Sequence, residues 1–255
     1  MRSNCNIYLY SYNISIFYTQ SVIMFVLINK PSWCTSFDVI RKLKRLYKWE
    51  KIGHAWTLDP LATWLLIVAI GKDTKKISQY VWMDKTYTAT IDFSKDSDTW
   101  DTDYRKYYEE FQSDDWWIYL CSDALSMRQE WQTNTLKVSE QSTYITAPTQ
   151  QQIEEQFTSI LGYHPLPLTP FSAKKRKWKK LYEYAREWNP VFINIDMQLL
   201  DFKVISYGFP VLEIELRVWS WTYIRSIAHW LGKQFWLPGI LSALHRSKVG
   251  EFGLK

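Results

Sequence analysis

The chain predicts an α+β domain built on a mixed, mainly antiparallel sheet with flanking helices, and three observations predict it. Several segments alternate apolar and polar residues with the two-residue period of half-buried strands. Others repeat apolar residues every three or four positions, as helices do. The two kinds are interspersed without the regular strand–helix–strand repetition of a parallel sheet. At 255 residues the chain is long enough to bury a real core.

Each element follows from its residues. Phe25 to Ile28 is a short apolar run ending at Lys30-Pro31, read as a buried strand that enters a turn. Thr35 opens a helix with Asp38 three residues on, a capping-box start. Ile40, Leu43 and Tyr47 line one face of that helix, while Arg41, Lys42 and Lys44 face out. Leu65 to Ile70 is a second buried strand, stopped by Gly71. Between 86 and 93, Tyr87, Ala89, Ile91 and Phe93 alternate with Thr86, Thr88 and Thr90. Ile153, Phe157, Ile160 and Leu161 mark a helix. Leu212, Ile214, Leu216 and Val218 alternate with charged residues in another half-buried strand. Ile224, Ile227, Leu231 and Phe235 mark the helix that follows Arg225. Residues 104–147 are polar, rich in Gln, Ser and Thr and weakly periodic, and are read as a surface insertion.

Composition narrows the class. A net charge of +5 leans toward a polyanionic partner. Cys5, Cys34 and Cys121 form no C-x-x-C pair and are too few for a disulfide scaffold, which fits a reducing cytoplasm. No apolar stretch reaches the ~18 residues of a membrane span, so no membrane partner is expected. No Cys/His cluster has metal spacing and no Gly-rich loop cradles a phosphate; neither metal nor cofactor is implied. Residues 1–23 carry one charge, Arg2, and Ser11, Asn13 and Ser15 break any signal-like apolar block. They are read as a non-native extension with Met24 as the true start, against the alternative of an extra strand from Asn6 to Tyr18.

The tryptophans are anomalous. The chain has Trp 15 and Gly 8, where ordinary chains run near ~7% Gly. Trp56 and Trp64 bracket a polar turn, Trp116-Trp117 follows Ser113-Asp114-Asp115, Trp178 interrupts a lysine run and Trp221 splits Ser220 from Thr222. With glycine at these places the chain reads as an ordinary protein. A gene whose UGA codons mean glycine, translated as tryptophan, accounts for the pattern; a truly Trp-rich chain that stacks on bases is the alternative.

Read with glycine in mind, Gly53 to Trp64 resembles the signature of the TruB family of tRNA pseudouridine synthases, G-H-x-G-x-L-D-P-x-A-x-G. Lys30-Pro31-Ser32-Trp33-Cys34-Thr35-Ser36 is similar to that family's opening K-P-x-G-x-T-S. Asp84-Lys85-Thr86-Tyr87 resembles its D-K-x-Y, and Asp98-Thr99-Trp100-Asp101 its D-T-x-D. Pro170-Phe171-Ser172-Ala173 with Lys179 to Arg186 is similar to its P-x-Y-S-A and G-K-x-L-Y-E-x-A-R blocks, and Trp221 to Arg225 to G-T-Y-I-R. At Trp33, Trp56, Trp64, Trp178, Trp188, Trp221 and Trp236 the family has glycine. The resemblance runs from about residue 24 to 252. It implies the pseudouridine synthase fold, a catalytic domain over 24–255, and isomerisation of the T-loop uridine of tRNA. Many members continue into a C-terminal PUA domain that grips RNA, and none is expected here. A monomer acting on the tRNA T-arm stem-loop is expected.

The same resemblance assigns roles. Breaking an N-glycosidic bond, rotating the base and rejoining it through carbon needs a carboxylate, a wall against water and an exposed base. Asp59 is the expected carboxylate; an Asp before Pro also simply initiates turns. Arg225 is its expected ionic partner, although an Arg opening a helix is usually solvated. Tyr87 is expected to stack on the uracil and help move a proton, where such a Tyr is otherwise plain core. His54 would fill the space of the flipped base, Leu58 lies beside Asp59, Tyr223 packs beneath the pocket, and Lys30 belongs to the RNA-contacting set. Lys174, Lys175, Lys179 and Lys180 lie in a run of six basic residues within seven positions, expected to contact phosphates; a solvated face or a localisation-like run is the alternative. Two other functions stay open: a catalytically impaired RNA-binding or tRNA-folding protein, if the tryptophans are genuine, and a guide-dependent synthase.

Overall fold

The computed structural model describes residues 14–19, 23–102 and 147–253. Strands β1 (Ile14–Thr19) and β2 (Ile23–Lys30) lead to helix α1 (Ser36–Leu46), then β3 (Ile52–His54) and β4 (Thr63–Ile70). A 3-10 turn (Gly71–Lys75) and the one-turn helix α2 (Ser78–Val81) precede β5 (Lys85–Asp92). Next come α3 (Gln150–Ser159), β6 (Gly162–Leu168), the hairpin of β7 (Lys175–Arg176) and β8 (Lys179–Lys180), and α4 (Leu181–Arg186). β9 (Ile193–Gly208), β10 (Val211–Val218), α5 (Ile224–Gln234), β11 (Ile240–Val249) and β12 (Phe252–Gly253) complete the described order. The insertion expected over 104–147 lies outside the described residues but for its last position.

One sheet runs β1-β2-β4-β11-β5-β10-β9-β6, with β3 added to β4 and β12 to β11. Its named strands pair antiparallel except β11 with β4, which run parallel through His245–Thr63 and Arg246–Trp64. The α+β class and the mixed, mainly antiparallel sheet are therefore as the sequence predicts. All of Leu65–Ile70 in β4 is buried, as are Tyr87, Ala89 and Ile91 of β5 and Leu212, Ile214, Leu216 and Val218 of β10. Helix α1 begins as its sequence requires: Asp38 N–H donates to Thr35 Oγ1 at 3.1 Å, and Thr35 N–H donates to Asp38 Oδ2 at 2.8 Å.

One expectation shifts, and one strand, β6, was not expected. Helix α3 ends at Ser159, so Ile160 stays in the core while Leu161 turns outward, 45% exposed. Strand β6 carries Pro165 and Pro167, which cannot donate to a ladder, and it lies at the sheet's end where that deficit is harmless.

The backbone singles out the tryptophans. Seven described non-glycine residues adopt positive φ; Lys177 is one, and the other six are Trp33, Trp64, Trp100, Trp188, Trp221 and Trp236. Such a conformation is unusual for any residue but Gly, Asn or Asp. The reasons are local. Helices α4 and α5 both end in Schellman motifs. Trp188 N–H donates to Ala185 O at 3.1 Å and Asn189 N–H to Tyr184 O at 3.1 Å; Trp236 N–H donates to Lys233 O at 3.3 Å and Leu237 N–H to Gly232 O at 3.0 Å. In both, tryptophan occupies the left-handed position that glycine ordinarily fills, and its ring is 94% or 90% exposed. Trp221 takes φ 72° as third residue of the turn closed by Thr222 N–H to Trp219 O, the place where a type II turn requires glycine. Trp56 and Trp178 are not among the left-handed residues.

Candidate active site

Asp59 stands on the loop from β3 to β4, in a turn closed by Ala62 N–H to Asp59 O at 3.0 Å, with Pro60 at the position where its fixed φ suits the turn. The segment after β2 clamps this turn from below. Lys30 Nζ donates to the carbonyls of Pro31, Cys34 and Pro60 at 2.9, 2.8 and 3.1 Å. Trp33 N–H also reaches Pro60 O, at 2.7 Å, and Ser32 Oγ reaches Leu61 O at 3.2 Å. Leu58 is buried, and its N–H donates to Ser36 Oγ at 2.9 Å. The carboxylate's height is thus fixed by bonds to backbone on both sides of it.

From the far end of the sequence, α5 delivers Arg225. Its Nε and Nη2 donate to Asp59 Oδ2 and Oδ1, both at 3.0 Å, a bidentate pair across 166 positions of chain. Arg225 Nη1 donates to Thr99 O at 2.9 Å and lies 3.6 Å from Asp101 Oδ2. Burial alone would lower the guanidinium's pKa; the Asp59 and Asp101 carboxylates outweigh it and hold it above its ordinary value. The Arg225 side chain is 7% exposed while that of Asp59 is 35% exposed. The pair is anchored on its cationic side and open on its anionic side.

Tyr87 is buried on β5, and burial pushes its phenol up, with the Arg246 charge opposing that rise. Tyr223 caps α5; burial, then the Asp59 charge, raise its phenol too. His54 closes β3, its Nε2 3.2 Å from Thr57 Oγ1, with its pKa lowered by burial and by Arg246. Lys30 and Lys85 are each brought down to about 8, chiefly by burial. Lys85 Nζ donates to Val81 O, Met83 O and Ser220 Oγ at 2.7, 2.5 and 2.6 Å.

Aromatic rings flank this site. Trp56 meets Trp221 edge-on at 4.8 Å, and Trp82 lies 6.1 Å from Trp221. Lys85 Nζ sits 5.0 Å over Trp56, and Lys174 Nζ 5.8 Å over Trp221. The lysine hairpin therefore borders the residues beside Asp59. Lys174 and Lys175 are exposed, whereas Lys179 pairs with Glu187 and Lys180 Nζ donates to Tyr182 Oη at 3.1 Å.

Asp59 and Arg225 are brought together as the sequence suggested. Asp101, Thr99 and Arg246 were not assigned roles from the sequence. Asp101 lies in the quoted D-T-x-D-like motif, which was the available signal; the part played by Thr99 is a backbone carbonyl, which no side-chain pattern reveals. Among the described residues no group of three or more His, Cys, Asp or Glu could hold a metal ion, and no helix is long and apolar enough to cross a membrane.

The fold is that of the pseudouridine synthases. The chain of a Cbf5-Nop10-Gar1 complex superposes with TM-score 0.57 at 18% identity, covering 89% of this chain and 49% of that one. That of an H/ACA RNP bound to a substrate RNA containing 2'-deoxyuridine gives TM-score 0.54, with 89% and 47% covered. Residues 44–117 match the TruB family pseudouridylate synthase (N terminal domain). The tRNA pseudouridine synthase B of Chloroherpeton thalassium is 34% identical over 236 residues, 90% of this chain and 84% of that protein. That of Protochlamydia amoebophila is also 34% identical, over 90% and 75%. This chain belongs to the TruB family, and its activity is that of an isomerase.

Proposed function

We propose that this protein isomerises the T-loop uridine of tRNA to pseudouridine, with Asp59 as the catalytic carboxylate. The observation that carries the reading is the bidentate Asp59–Arg225 pair, buried on its guanidinium side and open on its carboxylate side. Arg225 aims Asp59 through the bidentate pair, Tyr87 contacts the base, and His54 occupies the space the flipped nucleotide leaves. Leu58 and Tyr223 wall the pocket against water. Lys30, with every Nζ contact on a carbonyl and no exposed surface, serves RNA through the loop that it braces. Lys174 and Lys175 contact phosphates of the T-arm. The protein is taken to act as a cytoplasmic monomer.

Glycine stands at Trp33, Trp64, Trp188, Trp221 and Trp236 in the native protein, by the left-handed backbone, and at Trp56 and Trp178 by the family pattern; Trp100 joins the set on its φ of 60°. A left-handed non-glycine residue costs ~1–2 kcal/mol, so six approach the ~5–15 kcal/mol that holds a domain folded. Peptide mass spectrometry of protein from the source organism decides this; intact Trp in peptides spanning His54 to Leu65 overturns it. The test of Asp59 is Asp59→Asn in the glycine-bearing chain. Turnover of a T-arm stem-loop should fall by on the order of 10⁴-fold with RNA affinity nearly unchanged, and turnover near that of the parent refutes the assignment.

The impaired RNA-binding reading rests on the Trp56–Trp221 contact, which sets two large rings against each other on the segments that carry Asp59 and Arg225 in the chain with tryptophan. It describes that chain, not its glycine counterpart.

A further inference from the structure

Arg246 is a second guanidinium buried beside this site, and it is held differently from Arg225. It is 1% exposed, and among the described residues no carboxylate lies within ion-pair distance of it. Its Nε and Nη2 both donate to Leu65 O, at 3.0 and 2.6 Å, which fixes the plane of the group against β4. The remaining nitrogen, Nη1, is buried without a hydrogen-bond partner. Leaving a buried donor unsatisfied is unfavourable, and more so on a charged group. A sheet does not keep such a group in its core for packing alone, since an apolar side chain would fill the space without that cost.

The register sets Arg246 beside Tyr87. Arg246 on β11 lies directly opposite Tyr87 on β5, and beside Trp64 on β4. Direct cross-strand partners share one face of the sheet with Cβ atoms about 4.5–5.5 Å apart. The Arg246 side chain already lies within hydrogen-bonding reach of the Tyr87 phenol, and its charge is felt there and at Lys30, His54 and Lys85. Asp59 is the carboxylate that acts on the same phenol.

We propose that Arg246 is the positioning residue for Tyr87, its Nη1–H directed to the phenol oxygen and tightened on it when the site is occupied by RNA. Donation to that oxygen fixes the rotor of the hydroxyl, so that its hydrogen points away from β11 toward the nucleotide, and it stabilises the phenolate. Pseudouridine formation removes the hydrogen from the base carbon that becomes bonded to ribose and places one on the nitrogen that was bonded to it. No proton is gained or lost overall, so a group that takes up one proton and returns one completes the balance. A phenol braced by a buried guanidinium can do both. The proposal rests on the reading that Tyr87 contacts the base.

A double-mutant cycle tests it, in the full chain with glycine at the positions named above and a T-arm stem-loop as substrate. Arg246→Met should lower kcat by about 10²-fold, the scale of one proton-transfer group, with KM changed less than about threefold. Arg246→Lys, which keeps the charge, should recover most of that loss. In the Tyr87→Phe background each Arg246 substitution should cost less than about twofold more, because its target is already gone. If Arg246→Met does not fold, Arg246→Gln, which removes the charge and keeps a polar group, carries the same cycle, and full additivity with Tyr87→Phe overturns the proposal. A rise in KM equal to the loss in kcat/KM, unaffected by Tyr87→Phe, would instead place the acceptor of Nη1 on the RNA. Parent-like turnover by Tyr87→Phe alone would remove the reading of Tyr87 itself, a different failure.

Discussion

Two loops near Asp59 carry tryptophan where the family has glycine, and their backbones treat it differently. In the clamp against the Asp59 turn, Trp33 sits at φ 66° with its N–H on Pro60 O, and Trp64 enters β4 at φ 81°. The chain there needs a left-handed residue and has no other candidate. In the lysine hairpin the left-handed residue is Lys177, at φ 57°, while Trp178 beside it lies 80% exposed with no such demand. A family glycine therefore carries two meanings. In the clamp it supplies a conformation; in the hairpin it supplies only smallness.

The largest effect that sharpens this contrast lies at the clamp and the turn facing it. Replacing Trp33, Trp56, Trp64 and Trp221 together with glycine should convert a chain with little or no turnover into an active enzyme, measured as pseudouridine formed in a T-arm stem-loop. Equal activity before and after would mean that the rings do not obstruct the site. At the hairpin the expected change is graded. Neutralising Lys174 and Lys175 should weaken binding to all RNAs alike and lower the salt slope by about 2; an unchanged slope would mark a solvated face. Smaller still are the helix ends. Trp188→Gly and Trp236→Gly should each stabilise by about 0.5–1 kcal/mol in denaturant melts, the left-handed penalty less the entropy glycine adds to the unfolded chain. Trp178→Gly should stabilise by less, and a gain equal to theirs would erase the distinction between the loops. Least of all, deletion of residues 1–23 should leave activity unchanged if Met24 is the native start. Ile14–Thr19 pairs along β2 from Ile23 to Ile28, so a melting temperature lowered by many degrees would show that this strand is integral.

Much of the frame was legible in the sequence. Helix α1, β4, β5, β10 and α5 declared themselves because each has a single buried face or an all-apolar run. β9 did not, since most of its sixteen residues are at least partly exposed and its buried positions, Met197 and Leu199, are few. β11 did not either: it buries Arg246 and half-buries His245 amid apolar residues, so its alternation is broken by the chemistry of the site. Asp59 and Arg225 were found through motifs; no periodicity relates two residues so far apart. The polar contacts that hold them, Thr99 O and the carbonyls around Lys30, are backbone atoms and leave no mark in residue identity.

The parallel pairing of β4 with β11 also sets when the site can assemble. β4, which follows the Asp59 turn, is flanked by β11 rather than by the next strand made, and Arg225 arrives only with α5. A nascent chain that has released its first hundred residues holds the carboxylate but neither the guanidinium that aims it nor the strand that closes the sheet beside it. Joining them waits for contacts between distant parts of the chain, which form late and slowly. Connectivity thereby makes the Asp59–Arg225 pair a late event: Asp59 is made early and meets its partner only when nearly the last strand has emerged.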